Sequence, residues 1–330
     1  MDVEKFFVQK SGLVEKKIGE IVPKGSEPAE VYGLIWDLVD RGGKRLRPAL
    51  CLLSCEAVGG REEDALGAAA AIEMFHNFTL IHDDIEDCSL LRRGKPCLHV
   101  QYGVPLALNA GDGLFMMVWK AAMGVGRNFE ENKIAQKMLL EAFTKVLEGQ
   151  AIELGWYYKN KWDVSEGEYR KMVEGKTGAL IGVSCAVGAF LGGAEKEEVE
   201  NLMGFGMEVG VAFQIQDDVL NIVGDEKKYK KEIGGDIVEG KRTLIVIEAL
   251  RRLPKNEAGR LENLLKKKKK AKKDVKEVIA LLKKSGGVGA AQKEAMRLVA
   301  SAREKLEFVK NPAAKEMFEG IADYLIMREV

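Results

Sequence analysis

The sequence predicts an all-α protein. Apolar residues recur at helical spacing along most of the chain, prolines number only seven, and no run alternates apolar and polar residues as a half-buried strand would. Helices are expected over 29–40, 47–58, 63–92, 105–123, 131–159, 166–192, 195–223, 242–252, 257–284, 288–309 and 312–328. Pro48 falls in a first turn, where its missing N–H leaves no bond unmade, and Gly59-Gly60 after Ala57-Val58 reads as a stop. Residues 177–194 carry no charge and approach the length of a membrane span. Their Gly, Ala and Ser content and their amphipathic neighbours favour a buried central helix instead.

The densest chemistry lies in Leu80-Ile81-His82-Asp83-Asp84-Ile85-Glu86-Asp87, followed by Arg92-Arg93-Gly94. On a helix Asp83 and Asp87 project from one face a turn apart, with Asp84 alongside. Carboxylates so crowded repel one another unless a cation intervenes. Hard oxygen ligands in this number suit Mg²⁺, which takes one or two carboxylates together with substrate phosphates and water, and arginines suit the phosphates. A solvated acidic surface has the same pattern, but the apolar run of Ile72, Met74, Phe75, Phe78, Leu80 and Ile81 leads straight into the cluster and points to the mouth of a buried channel. A second apolar run carries adjacent acids at Phe213-Gln214-Ile215-Gln216-Asp217-Asp218-Val219-Leu220-Asn221. Two such helices facing each other would clamp metals on a diphosphate, neutralising the charge of a leaving group and easing rupture of a carbon–oxygen bond. The three histidines, His76, His82 and His99, have no zinc-site spacing, and a hydrogen-bonding role is expected for His76 and His82.

With these residues in view the chain resembles the trans-isoprenyl diphosphate synthases, or polyprenyl synthetases. The resemblance starts at Gly42-Gly43-Lys44-Arg45-Leu46-Arg47-Pro48 and includes the first aspartate motif with Arg92-Arg93-Gly94-Lys95-Pro96. It continues through Gly175-Lys176-Thr177-Gly178, the second aspartate motif, and Gly235-Asp236-Ile237-Val238-Glu239-Gly240-Lys241-Arg242-Thr243. It implies a single-domain helical bundle with a central cavity and magnesium as cofactor, three ions per active site. Asp83, Asp87 and Asp217 would be the principal ligands, with Asp84 and Asp218 in support. It implies that Lys44, Arg47, His76 and Arg93 receive the diphosphate of isopentenyl diphosphate, and that Arg92, Lys176, Lys231 and Lys241 surround the allylic diphosphate. Thr177 and Gln214 resemble the family's oxygen-bearing groups beside the developing carbocation. The implied reaction is ionisation of the allylic substrate, attack by the double bond of isopentenyl diphosphate, and loss of a proton. Only one diphosphate must leave, so metals belong on only one. Two departures stand out. Asn221 replaces the usual aspartate, which predicts weaker magnesium affinity or slower ionisation, and Lys230 replaces the glycine that commonly precedes the loop lysine.

In this family the wall of the chain pocket lies on the helix before the first motif. Phe78 stands five residues before Asp83, roughly 7.5 Å down the axis, and Phe75 roughly 12 Å down. Either ring could stop a growing chain or simply pack the core. With small Thr79 beside Phe78 and no insertion in the motif, the pattern resembles the archaeal-type geranylgeranyl diphosphate synthases. Twenty carbons is the expected product length and fifteen, a farnesyl diphosphate synthase, the alternative. A terpene cyclase or head-to-head synthase would not need the Gly42–Pro48 block, and a non-catalytic partner subunit would not need the intact aspartates. The family is commonly dimeric, so a homodimer is expected.

Composition fits these readings. Of 330 residues, 46% are hydrophobic and 31% charged, with 51 basic and 51 acidic side chains in balance. That allows a large core and argues against a general nucleic-acid binder. No Pro/Gly/Ser linker separates the two aspartate motifs, so one domain over 1–330 is expected. Cys51, Cys55, Cys88, Cys97 and Cys185 are odd in number and form no CxxC pair, as in a reducing cytosol. The start, Met1-Asp2-Val3-Glu4-Lys5, lacks the apolar core of an export signal, and no transmembrane segment is expected. The basic run from Lys266 to Lys273 reads as a solvated inter-helix segment.

Overall fold

The side chain of Asp2 accepts hydrogen bonds from the amides of Glu4 and Lys5 and so starts a helix, which buries Phe7, Val14 and Ile18 along one face. In the computed structural model, which describes residues 2–224 and 233–327, this is the first element of an all-α fold. The helices are α1 (Val3–Ile21), α2 (Ala29–Val39), α3 (Leu46–Ala57), α4 (Glu62–Glu86), α5 (Leu98–Tyr102), α6 (Val104–Ala122), α7 (Phe129–Tyr158), α8 (Glu166–Val173), α9 (Ala179–Gly192), α10 (Lys196–Val223), α11 (Gly235–Glu239), α12 (Leu244–Arg252), α13 (Lys255–Leu265), α14 (Lys272–Lys284), α15 (Gly287–Glu304) and α16 (Pro312–Ile326). The strands β1 (Leu91–Arg92) and β2 (Lys95–Pro96) pair as a small antiparallel hairpin.

The chain groups into two compact units interleaved in sequence. One comprises Met1–Phe143, Leu180–Met203 and Leu306–Phe318, the other Thr144–Ala179, Gly204–Lys305 and Glu319–Val330. In the first, α4 packs against α1, α3 and α6. Its alanines at 65 and 68–71 are fully buried and allow close approach, while Ile72, Met74, Phe75 and Ile81 fill the core. In the second, a capping box between Ser165 and Glu168 starts α8, and α12 packs against α8, α13, α14 and α15.

Several sequence expectations are corrected by this structure. Helix α1 was not expected, although Phe7, Val14 and Ile18 already carry its spacing. The helix expected over 63–92 stops at Glu86, because Cys88 turns into the left-handed region (φ 52°) and the chain enters the hairpin. The helix expected over 257–284 is two, α13 and α14. Consecutive lysines repel at helical spacing, and the helical path breaks within their run. The stretch expected as one helix over 166–192 contains a π-helical turn at Glu174–Gly178 between α8 and α9. Among the described residues Glu166–Gly192 is the one run long and apolar enough to cross a membrane, and 78% of its most apolar window is buried inside the protein.

Candidate active site

In the first unit, the site is organised by Arg45, which lies within the Gly42–Pro48 block but has no expected role in sequence. Arg45 sits in the left-handed region (φ 49°) at the start of α3, a conformation that a residue with a side chain adopts only when its surroundings hold it. Its guanidinium is buried and donates to Glu73 Oε1 at 2.6 Å, to the Val39 carbonyl at 2.7 Å and to Glu15 Oε1 at 3.2 Å. Asn77 donates a further bond to Glu73 at 2.7 Å. This pair sets the course of the chain on both sides, placing exposed Lys44 before it and Arg47 after it.

Arg47 Nη1 lies 3.4 Å from His76 Nε2, while Arg47 Nε is buried without a hydrogen-bond partner. Burial pulls the Arg47 guanidinium down to about 10 against the opposing field of Glu73. Arg93 (φ 54°), from the hairpin turn, reaches within 3.5 Å of the Leu38 carbonyl. A side chain at position 43 would stand 3.0 Å from the Arg93 guanidinium, so glycine is what lets the two segments meet. Burial and repulsion from Arg45 pull Arg93 down to about 10 as well. His76 is held well below the ordinary histidine value by burial first and then by Arg47, Arg93, Arg92 and Arg45, so it is neutral near pH 7. Arg47, His76 and Arg93, expected to share one diphosphate, are thus brought together around an orphaned donor, an arrangement fitted to an anion.

The first aspartate motif ends α4. The Asp87 amide donates to the Asp83 carbonyl at 2.8 Å, which keeps the helical course and both side chains on one face. Asp84 is buried and accepts from Arg92 Nε at 2.8 Å and from Arg92 Nη2. Burial works against the Arg92 charge, but Asp84 outweighs it and raises the guanidinium above its usual value. The expected metal-side acid and the expected diphosphate-side cation therefore neutralise each other. Behind the motif, Phe78 lies 5.0 Å from Phe115 and 4.7 Å from His82. Phe75 stacks face to face on Phe143 at 3.8 Å and is wholly buried. The Thr79 hydroxyl turns back to the His76 carbonyl at 2.8 Å. Phe115 and Phe143, with Trp119 edge-on to both, extend this aromatic group and were not singled out in sequence.

In the second unit, α7 and the π-helical turn cross in close contact: a methyl group on Gly149 would land on the Lys176 amide. One turn beyond Gly149, Glu153 meets the Lys176 ammonium at 2.6 Å. The next residue, Thr177, donates to Gln214 Oε1 at 3.0 Å, and Gln214 donates to Asp218 Oδ1 at 3.0 Å. Tyr169 donates to the other Asp218 oxygen, also at 3.0 Å. Burial, reinforced by Asp236, pushes the Asp218 carboxyl up to about 8. Lys241 bonds Asp236 at 2.8 Å and Glu239 at 3.0 Å. Burial alone would lower the Lys241 ammonium, but these two acids outweigh it and raise it. Asp236 is itself raised, chiefly by burial, with Glu239 and Asp217 adding to the effect. Asn221 is buried, its side chain accepting from the Asp236 amide at 3.1 Å and its carbonyl from the Gly234 amide at 2.8 Å. It holds the turn that carries Asp236. Glu153, Tyr169 and Asp236 went unassigned in sequence, although Asp236 lies inside a quoted block. Lys230 and Lys231 lie outside the described residues.

Among the described residues no three His, Cys, Asp or Glu side chains gather as a ready-made metal cage. Within the first unit, Asp83 and Asp87 are half-buried carboxylates one turn apart on a helix, hard oxygen donors of the kind magnesium accepts.

Neutral His76 makes stability depend on pH. The folded state keeps the ring uncharged while the unfolded chain takes up a proton below about pH 6.5. Its contribution is present above that pH and is lost as pH falls, by at most about 1.4 kcal/mol per pH unit. Denaturant titrations between pH 7 and 5 should show a shallower loss for His76→Asn than for the parent. Parallel curves would mean that His76 is not held neutral.

A polyprenyl synthetase family model matches residues 28–282. The chain is 40% identical to the short chain isoprenyl diphosphate synthase of Methanothermobacter thermautotrophicus, over 96% of this chain and 94% of that one. It is 36% identical to the geranylgeranyl diphosphate synthase of Methanosarcina mazei, over 97% and 96%. The crystal structure of geranylgeranyl pyrophosphate synthetase from Pyrococcus horikoshii superposes with a TM-score of 0.92 at 37% identity, covering 99% of each chain. Sequence blocks, helical fold and relatives agree: this chain belongs to the polyprenyl synthetase family, the trans-isoprenyl diphosphate synthases.

Proposed function

We propose that this enzyme condenses isopentenyl diphosphate with allylic diphosphates and releases geranylgeranyl diphosphate. The observation that carries the reading is the pairing of two unlike anion sites in one sequence. The orphaned donor of Arg47 and the half-buried Arg93 guanidinium, with Lys44 and neutral His76, suit a diphosphate that must stay intact. Aspartate motifs accompanied by Arg92, Lys176, Lys231 and Lys241 suit one that must leave.

The family works with magnesium. In our reading Asp83, Asp87 and Asp217 would hold the ions, three per site, and bound magnesium would supply the Lewis acidity that stabilises a departing diphosphate. Asp84 and Asp218, engaged by Arg92 and by Gln214 and Tyr169, support these ligands. The Thr177 hydroxyl and the Gln214 amide present fixed dipoles to the allylic cation. The double bond of isopentenyl diphosphate then attacks, and the proton lost from the adduct passes to the released diphosphate.

Phe78 is the proposed floor of the chain pocket. Unlike Phe75 it keeps some exposure, 8% against none, and two relatives named for the twenty-carbon product support that length. We further place the enzyme in the cytoplasm as one functional domain and as a homodimer. Val104, Leu106, Leu108 and Met116 are exposed apolar residues on α6, and a sedimentation mass twice that of the 36.4 kDa chain is the check on the dimer, a monomer mass being the contrary result.

Labelled isopentenyl diphosphate supplied with magnesium and five-, ten- or fifteen-carbon allylic diphosphates should give a discrete twenty-carbon product. Asp83→Asn or Asp217→Asn should cost about 10²–10³ in turnover. Phe78→Ala should lengthen the product. A cyclic or tail-joined hydrocarbon would overturn the reaction, and an unchanged product from Phe78→Ala would remove that ring as the floor.

A further inference from the structure

Arg242 makes more contacts than an arginine buried for packing requires. Its guanidinium donates through Nε to the Lys161 carbonyl at 2.8 Å, through Nη1 to the Gly240 carbonyl at 2.6 Å, and through Nη2 to the Trp156 carbonyl at 3.2 Å. The same flat group lies 4.1 Å from the Trp162 ring and 4.7 Å from the Tyr157 ring, a distance at which cation and ring attract. Three donors in one plane and two aromatic partners exploit the shape of a guanidinium, which an ammonium lacks.

Of the segments it joins, one carries and the other holds through an ion pair a lysine assigned above to the allylic diphosphate. On one side is the Gly240 turn, directly before Lys241, whose ammonium bonds Asp236 and Glu239. On the other is the end of α7, where the Tyr157 hydroxyl stands 3.5 Å from Glu153 Oε1 and Glu153 bonds Lys176 at 2.6 Å. Lys241 and Lys176 come from elements 65 positions apart in sequence. Arg242 ties the chain beside one to the helix that holds the other.

We propose that Arg242, stacked against Trp162 and Tyr157, is a positioning residue that fixes Lys241 relative to Lys176 and thereby sets recognition of the allylic diphosphate. This rests on the proposed roles of the two lysines and deepens them. The Arg242 Nε, Nη1 and Nη2 are each engaged by a backbone carbonyl, so in this proposal its effect reaches the diphosphate only through the lysines.

The test measures KM separately for farnesyl diphosphate and isopentenyl diphosphate in the full-length enzyme with magnesium, for the parent, Arg242→Lys and Trp162→Leu. Arg242→Lys keeps the charge and loses the planar fork, and Trp162→Leu keeps Arg242 and loses a stacking face. Each variant that retains the parent's circular dichroism should raise KM for farnesyl diphosphate roughly ten- to a hundredfold, since small misplacements of binding groups are costly. KM for isopentenyl diphosphate should stay within about twofold, a split a general loss of structure would not produce. Equal changes in both KM values, or no change in either, would overturn the proposal while leaving the enzyme's function standing. A parent enzyme that does not condense the two substrates would instead overturn the functional reading itself.

Discussion

A guanidinium without water is costly, and this protein places Arg45, Arg47 and Arg93 in the field of one buried carboxylate, Glu73. Glu73 neutralises Arg45 directly and leaves the other two only partly compensated. The consequences run outward from that imbalance. Arg45 is held in a left-handed backbone conformation that presents Lys44 from the loop before it and Arg47 from the first turn of α3. His76, surrounded by positive charge, stays neutral and can accept from Arg47. Arg93 closes over Gly43, where no side chain intervenes. Removing Glu73 would leave a set of like charges with no reason to stay together.

The second unit solves the opposite problem. Acids crowd there, with Asp218 and Asp236 both raised by burial. Partial relief comes from Lys241 and from neutral donors, Tyr169 and Gln214. Asn221 belongs in the same account. A carboxylate there would add a further charge beside Asp236, whereas the amide accepts the Asp236 N–H and holds the turn at no electrostatic cost.

Much of this was legible in the sequence, and the residues that escaped show why. Spacing alone put Asp83 and Asp87 on one helix face, and the blocks around Arg47, Lys176 and Lys241 named groups that do meet their neighbours in the fold. What could not be read was pairing across long separations. Glu73 lies 28 positions from Arg45, Glu153 lies 23 from Lys176, and Tyr169 lies 49 from Asp218. No local pattern marks such partners. The aromatic group behind the first motif was half visible for the same reason: Phe75 and Phe78 share a helix, but Phe115 and Phe143 arrive from α6 and α7. Helix ends failed where electrostatics or a left-handed residue overrode periodicity, at the lysine run and at Cys88.

The central claim is that protein side chains alone, Lys44, Arg47, His76 and Arg93, hold the diphosphate that stays, while metal is needed to hold the one that leaves. Calorimetric titration of each substrate into the protein, with magnesium and with the divalent ions chelated, tests it most directly. Chelation should weaken farnesyl diphosphate binding at least about tenfold, because uncompensated aspartates then repel the ligand. Isopentenyl diphosphate binding should be little changed. Binding of both substrates that is equally lost on chelation, or equally retained, would contradict the claim.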